Sequence, residues 1–139
     1  MSPNPPPLIY IAGPYRAPTT WEINVNITNA RQWGVRFAKM GAYPVIPHSN
    51  TAHMDGAAAD SLWLGGTLEL LRRCDGAIFI PGWPDSKGSQ AEWEEAGRLR
   101  IPRLDANVHA GSLTMDVLLR DWLEGVKVSM SFLHDTEGK

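Results

Sequence analysis

Cysteine is nearly missing from this chain of 139 residues: Cys74 stands alone, so no intrachain disulfide can form. It lies in the stretch Leu70-Leu71-Arg72-Arg73-Cys74, the setting of a buried, inert thiol rather than a nucleophile. An excess of charge is lacking too. The formal net charge is −2, so no basic field exists to hold a nucleic-acid polymer. A single small anion needs only a few local donors and stays possible. No run of 18 apolar residues occurs, which argues against a membrane span. Residues 1–7, MSPNPPP, have neither the basic nor the apolar part of a secretory signal, and a cytoplasmic location is expected. The G-x-G-x-x-G and P-loop patterns of nucleotide-binding loops are absent, as is the G-x-S-x-G elbow of serine hydrolases.

What is present is an ordinary globular balance, 43% apolar and 20% charged, in a length that fits one domain. Residues 1–7 read as a flexible Pro-rich leader, 8–132 as the domain and 133–139 as a frayed tail. Leu8-Ile9-Tyr10-Ile11-Ala12 is a short β-rich run stopped by Gly13-Pro14. A helix follows from about Trp21 to Met40, capped by Thr19 or Thr20 with Glu22 in its first turn. Its apolar positions are Val25, Trp33, Phe37 and Met40, and Gly41 stops it. Ala42 to Pro47 reads as a strand, 48–60 as a loop, and Ser61 to Arg73 as a second helix. A strand at 76–81, a helix at 86–99, a short strand at 102–105 and a helix at 113–125 complete the alternation. Val126 to Phe132 alternates weakly and is expected as an edge strand. The pattern predicts an α/β fold with a mostly parallel sheet of four to five strands, covered on both faces.

In such sheets ligands bind beyond the carboxyl ends of the strands. That rule selects the loops 13–20, 47–60 and 81–88. In the last, Asp85-Ser86-Lys87-Gly88 opens a helix: Ser86 is placed to cap it, and Gly88 leaves the first amides accessible to an anion. Gly88, Glu92 and Ala96 share one helix face, so Glu92 is either a site carboxylate among small residues or one more surface glutamate. In the first loop, Gly13-Pro14-Tyr15-Arg16 offers a guanidinium for a phosphate or carboxylate, and Tyr10 could set its hydroxyl near a catalytic carboxylate. The alternatives are a structural turn, a surface Arg and a core Tyr. His48 either hydrogen-bonds a ligand or serves the structure. His48 and His53, with Asp55 and Asp60 nearby, form no metal-binding pattern, so neither metal nor cofactor is expected.

Taken together, Ile9 to Arg16, Cys74 to Ile80, Gly82-Trp83 and Ser86-Lys87-Gly88-Ser89-Gln90-Ala91-Glu92 resemble, over roughly residues 8–105, the nucleoside 2-deoxyribosyltransferase-like superfamily. The nearer likeness is to its short branch in phages and bacteria. The resemblance implies a flavodoxin-like three-layer sandwich, a homodimer or higher homo-oligomer, and a nucleotide or nucleoside as the small-molecule partner. It implies that Glu92 attacks the anomeric carbon and that Tyr10 positions it. It also assigns the phosphate of a 5′-monophosphate to Ser86 and to Gly13 through Arg16. The superfamily usually supplies a second acid eight residues before the Asp75 position, and here that residue is Thr67. Either Asp60, Asp85 or His48 assists the leaving base, or assistance is missing, or the protein binds nucleotides without turnover. A domain that kept the fold for assembly alone is a third reading.

Overall fold

The computed structural model describes residues 5–109 and 114–137. Four strands, β1 (Leu8–Ala12), β2 (Tyr43–Val45), β3 (Gly76–Phe79) and β4 (Arg103–Asp105), form one all-parallel sheet in the order β2-β1-β3-β4. Five helices connect or follow them: α1 (Thr20–Lys39), α2 (Pro47–Asn50), α3 (Asp60–Arg72), α4 (Lys87–Arg98) and α5 (Met115–Glu137). The architecture is α/β, a flavodoxin-like three-layer sandwich. Among the described residues no helix is long and apolar enough to cross a membrane.

The period-two geometry of the strands divides the core. Ile9 and Ile11 of β1, with Ile78 and Ile80, face α1 and α5 through Ala30, Trp33, Phe37, Met115, Leu119 and Leu123. Tyr10 and Ala12, with Ala77 and Phe79, face α3 and α4 through Leu71, Cys74, Trp83 and Ala96. Tyr10 and α4 therefore belong to the same layer. The strand order reverses between β1 and β3, paired through Tyr10↔Ala77 and Ala12↔Phe79. This is the switch point at which loops from the two strands diverge and leave a crevice.

Local chemistry explains most boundaries. Thr19 caps α1 in a full capping box: its Oγ1 accepts from the Glu22 amide at 3.1 Å, and Glu22 Oε2 accepts from the Thr19 amide at 3.1 Å. Val25, expected on the core face, is 49% exposed; Ile27 and Ala30 turn inward instead. The stretch 48–60 is not wholly a loop, because Pro47 starts the one-turn helix α2 with its preset φ.

The largest difference lies at the C-terminal end. The expected edge strand Val126 to Phe132 is helical, and α5 continues to Glu137, through most of the segment expected to fray. The alternation of Val126, Val128, Met130 and Phe132 looks β-like. Burial follows the helical spacing instead: Leu119, Leu123 and Val126 are buried and Met130 packs against the same core, while Val128 and Phe132 are 67% and 74% exposed. Covering β1 and β3 beside α1 requires a continuous apolar stripe, and only the 3.6-residue period supplies one here.

Candidate functional site

Gly82, in the left-handed region at φ 92°, turns the chain out of β3 into a short 3-10 turn, Trp83–Asp85. The Gly82 amide donates to Asn107 Oδ1 at 2.8 Å and Trp83 Nε1 to Asp105 Oδ1 at 2.8 Å, tying this turn to the segment around the end of β4. Trp83 stacks on Trp93 with centroids 4.9 Å apart, and the Arg103 guanidinium lies over the other ring at 3.9 Å. The start of α4 is thus fixed from both sides. Ser86 caps it, its Oγ accepting from the Ser89 amide at 3.3 Å. The amides of Lys87 and Gly88 have no acceptor within the helix and point out of its positive end.

One turn further, Glu92 is buried, as are Ser89 and Ala96. A Cβ built at Gly88 would lie 4.0 Å from both Glu92 Oε1 and Ser86 Oγ, so the carboxylate faces the helix start across the space a larger residue would fill. Burial pushes the Glu92 carboxyl up to about 7, while the Tyr10 hydroxyl draws it down in part. Tyr10 is fully buried on β1, and its own pKa is raised, first by burial and then by Glu92. The pair is not closed into a hydrogen bond. Tyr10 Oη and Glu92 Oε2 are both buried without a partner, and so are Ser89 Oγ and Trp63 Nε1. Four unsatisfied polar atoms on β1, α3 and α4 are costly in an ordinary core, and they mark a place organised for something else.

The structure brings together Tyr10, Ser86, Gly88 and Glu92, and it gives the other expected site residues different settings. Arg16 is exposed and ion-paired to Asp60 at 2.9 Å. Tyr15 donates from its hydroxyl to Asp55 Oδ1 at 2.9 Å and accepts from the His53 amide at 3.3 Å. The 13–16 turn is thereby laced to the segment between α2 and α3. Gly13 is required by packing: a Cβ there would meet Ile80 Cγ1 at 2.4 Å. His48 is buried under Pro14, its Nε2 shared between the carbonyls of Gly13 at 3.1 Å and Pro14 at 3.0 Å. Those acceptors fix the proton on Nε2, and burial lowers the pKa of the ring. Asp85 is exposed on the 3-10 turn. None of these groups acts on Glu92; among the described residues Tyr10 is the one titratable neighbour that does. Thr67 donates to Leu64 O at 2.9 Å and lies beside the Tyr10 hydroxyl.

Cys74 is buried with its thiol pushed up to about 12, which leaves it inert at neutral pH. Glu95 is ion-paired to Arg72 and Arg98 and helps join α4 to α3. No group of three or more potential metal ligands occurs among the described residues. Sequence reasoning missed Ser89 and Trp63. Their signal was spacing: Ser89 precedes Glu92 by three and Trp63 precedes Thr67 by four, so each shares a face with its neighbour.

A family model described as a domain of unknown function (DUF7768) matches residues 7–105. The matched span runs from the residue before β1 to the last residue of β4 and contains Tyr10, Trp63, Ser86 and Glu92. No curated protein matches the chain.

Proposed function

We propose a function for this chain, which belongs to the DUF7768 family: it cleaves the N-glycosidic bond of a nucleoside 5′-monophosphate or nucleoside, with Glu92 as the nucleophile. The observation that carries the reading is the Glu92 carboxyl, buried, brought to about 7 and lacking a partner on Oε2, beside Tyr10 at the switch point of the sheet. A carboxylate in such a setting is a poor structural element and a good nucleophile, because nothing competes for its lone pairs. The ionised form predominates above about pH 7.

In this mechanism the substrate lies across the mouth of the crevice with C1′ over Glu92. As the glycosidic bond lengthens, positive charge develops at C1′, and a Glu92 oxygen bonds to it. The bonding pair leaves with the base. Water then attacks C1′ from the vacated side and releases the sugar with overall retention. Tyr10 steers the carboxylate, and the free amides of Lys87 and Gly88, with Ser86, receive a 5′-phosphate. Arg16 can reach such a phosphate only by sharing or exchanging its bond to Asp60. Hydrolysis is favoured over base exchange because these donors fit a charged substrate. The expected outcome of Glu92→Ala is loss of free-base release from a nucleotide panel, read by chromatography, with a preserved circular dichroism spectrum. Undiminished release by that variant would sink the mechanism.

A second reading, a nucleotide-binding protein that sequesters or senses its ligand, is favoured by one feature. The hydroxyl of Thr67 is committed to Leu64 O, and among the described residues no carboxylic acid besides Glu92 bears on Tyr10. Recovery of intact nucleotide from a tight complex after long incubation with the unaltered protein would select it.

A further inference from the structure

We infer that Trp63 forms the base-recognition wall of this site and that its indole N–H, rather than a carboxylic acid, stabilises the departing base. The inference rests on the glycosidic reading above and extends it to the leaving group.

Trp63, Thr67 and Leu71 recur every four residues along α3 and form one stripe. Exposure falls along it: Leu71 is fully buried, while Thr67 and Trp63 are half-buried. The facing stripe of α4 behaves alike, with Ala96 fully buried, Glu92 buried and Gly88 half-buried. Both helices return antiparallel to the strands, so their N-terminal turns lie at the carboxyl ends of the sheet. The stripes close on each other at Leu71 and Ala96, in one cluster with Tyr10. Exposure rises from there toward Trp63 on one stripe and Gly88 on the other. Although the Trp63 side chain is half-buried, its Nε1 is buried and has no acceptor. A buried indole N–H normally finds a partner, because leaving it unpaired costs as much as a lost hydrogen bond. On the open side of this crevice, the missing acceptor fits a ring nitrogen or carbonyl oxygen of a nucleobase.

The chemistry follows from what an indole can do. It donates a hydrogen bond but does not give up its proton near neutral pH. Tyr10 is no better as an acid, since burial and Glu92 both hold its proton. When the Glu92 oxygen bonds to C1′, the C1′–N pair moves onto the base, which departs as an anion hydrogen-bonded to Trp63 Nε1. Water protonates it afterwards, and the resulting hydroxide balances hydrolysis of the glycosyl ester. Substrates whose bases form stable anions are therefore the favoured class, and turnover depends steeply on the acidity of the free base.

The test uses full-length protein, wild type and Trp63→Phe, with a series of 5-substituted deoxyuridine 5′-monophosphates of graded base acidity. The expected result is a kcat that rises with base acidity. In Trp63→Phe, kcat falls about tenfold to a hundredfold, most for the least acidic base, with KM little changed, as for a hydrogen bond to a developing charge. Equal kcat in the two proteins, or a kcat indifferent to base acidity, overturns the inference. A protein that cleaves nothing in the series defeats the glycosidic reading, and Trp63 is then judged separately. Its indole 1H–15N resonance, identified by its loss in Trp63→Phe, is expected to shift when adenine, hypoxanthine, cytosine or uracil is added. A resonance unmoved by all four rejects the base wall.

Discussion

Glu92 carries a cost that its neighbours do not relieve. Its pKa lies at about 7 in the folded protein against an ordinary 4.5, with burial as the main cause. Between these values the folded state binds the extra proton, so stability falls as pH rises through that window and stays lower above it. At the limit of full ionisation the shift corresponds to about 3 kcal/mol. Glu92→Gln, which cannot ionise, is expected to be more stable than the unaltered protein at pH 8 by an amount that shrinks toward pH 5. Denaturant unfolding at the two pH values checks this. A stability difference independent of pH would mean that Glu92 titrates normally. The opposite sign holds for Glu95, whose pKa is lowered to about 2 by Arg98 and Arg72. Two glutamates three residues apart thus sit in opposite settings, one held charged by its arginines as part of a joint and one buried short of solvation.

Among the elements, the joints around the crevice matter more than the helices that form it. The 13–16 turn packs against the end of β3 so closely that only glycine fits at 13, with Ile80 Cγ1 2.4 Å from where a Cβ would sit. Because Ile80 is itself buried in the α1/α5 core, it has little room to move. Gly13→Ala is expected to cost about 1–3 kcal/mol by overpacking, seen as a lower denaturation midpoint with an unchanged slope. An unchanged midpoint would show that the turn yields freely. Strand-end packing thus gives a structural reason for glycine at position 13. His48 acts at the same joint, holding two carbonyls of the turn from below. On the other flank, the Trp83–Asp105 and Gly82–Asn107 bonds hold the α4 start to the segment around the end of β4.

For the molecule as a whole, the sheet separates two half-cores with different duties. The α1/α5 half is an apolar cluster, and the α3/α4 side carries four of the five buried polar atoms without a partner among the described residues, on Tyr10, Trp63, Ser89 and Glu92; the fifth is His48 Nδ1, beside the 13–16 turn. The halves share the strands, so they are expected to unfold together. Leu123, 2% exposed on α5, tests this division. Leu123→Ala is expected to lower stability by roughly 2–5 kcal/mol while the Glu92 carboxyl, followed by carbon-13 NMR, still titrates near 7. A shift of a full unit in that titration would refute the separation.

The sequence by itself determined the four strands of the sheet, their alternation with the long helices and the layer arrangement, because these rest on local signals. Apolar runs ended by Gly-Pro, the Thr19–Glu22 box and the Ser86 cap are each written within a few residues. It also pointed to Tyr10 and Glu92 as a pair. Only the tertiary structure decided the rest. The Val126 to Phe132 alternation fits either period, and the choice fell to the helix because the sheet face beside α1 needed a cover. Arg16 reads as a free cation until Asp60 is folded beside it, and His48 as a ligand donor until the 13–14 carbonyls lie over its ring. For Trp63 the sequence offered only its spacing from Thr67, because an indole without an acceptor is a property of its surroundings. Local pattern specifies what each segment becomes, whereas hydrogen-bond partners and burial arise between segments far apart in the chain.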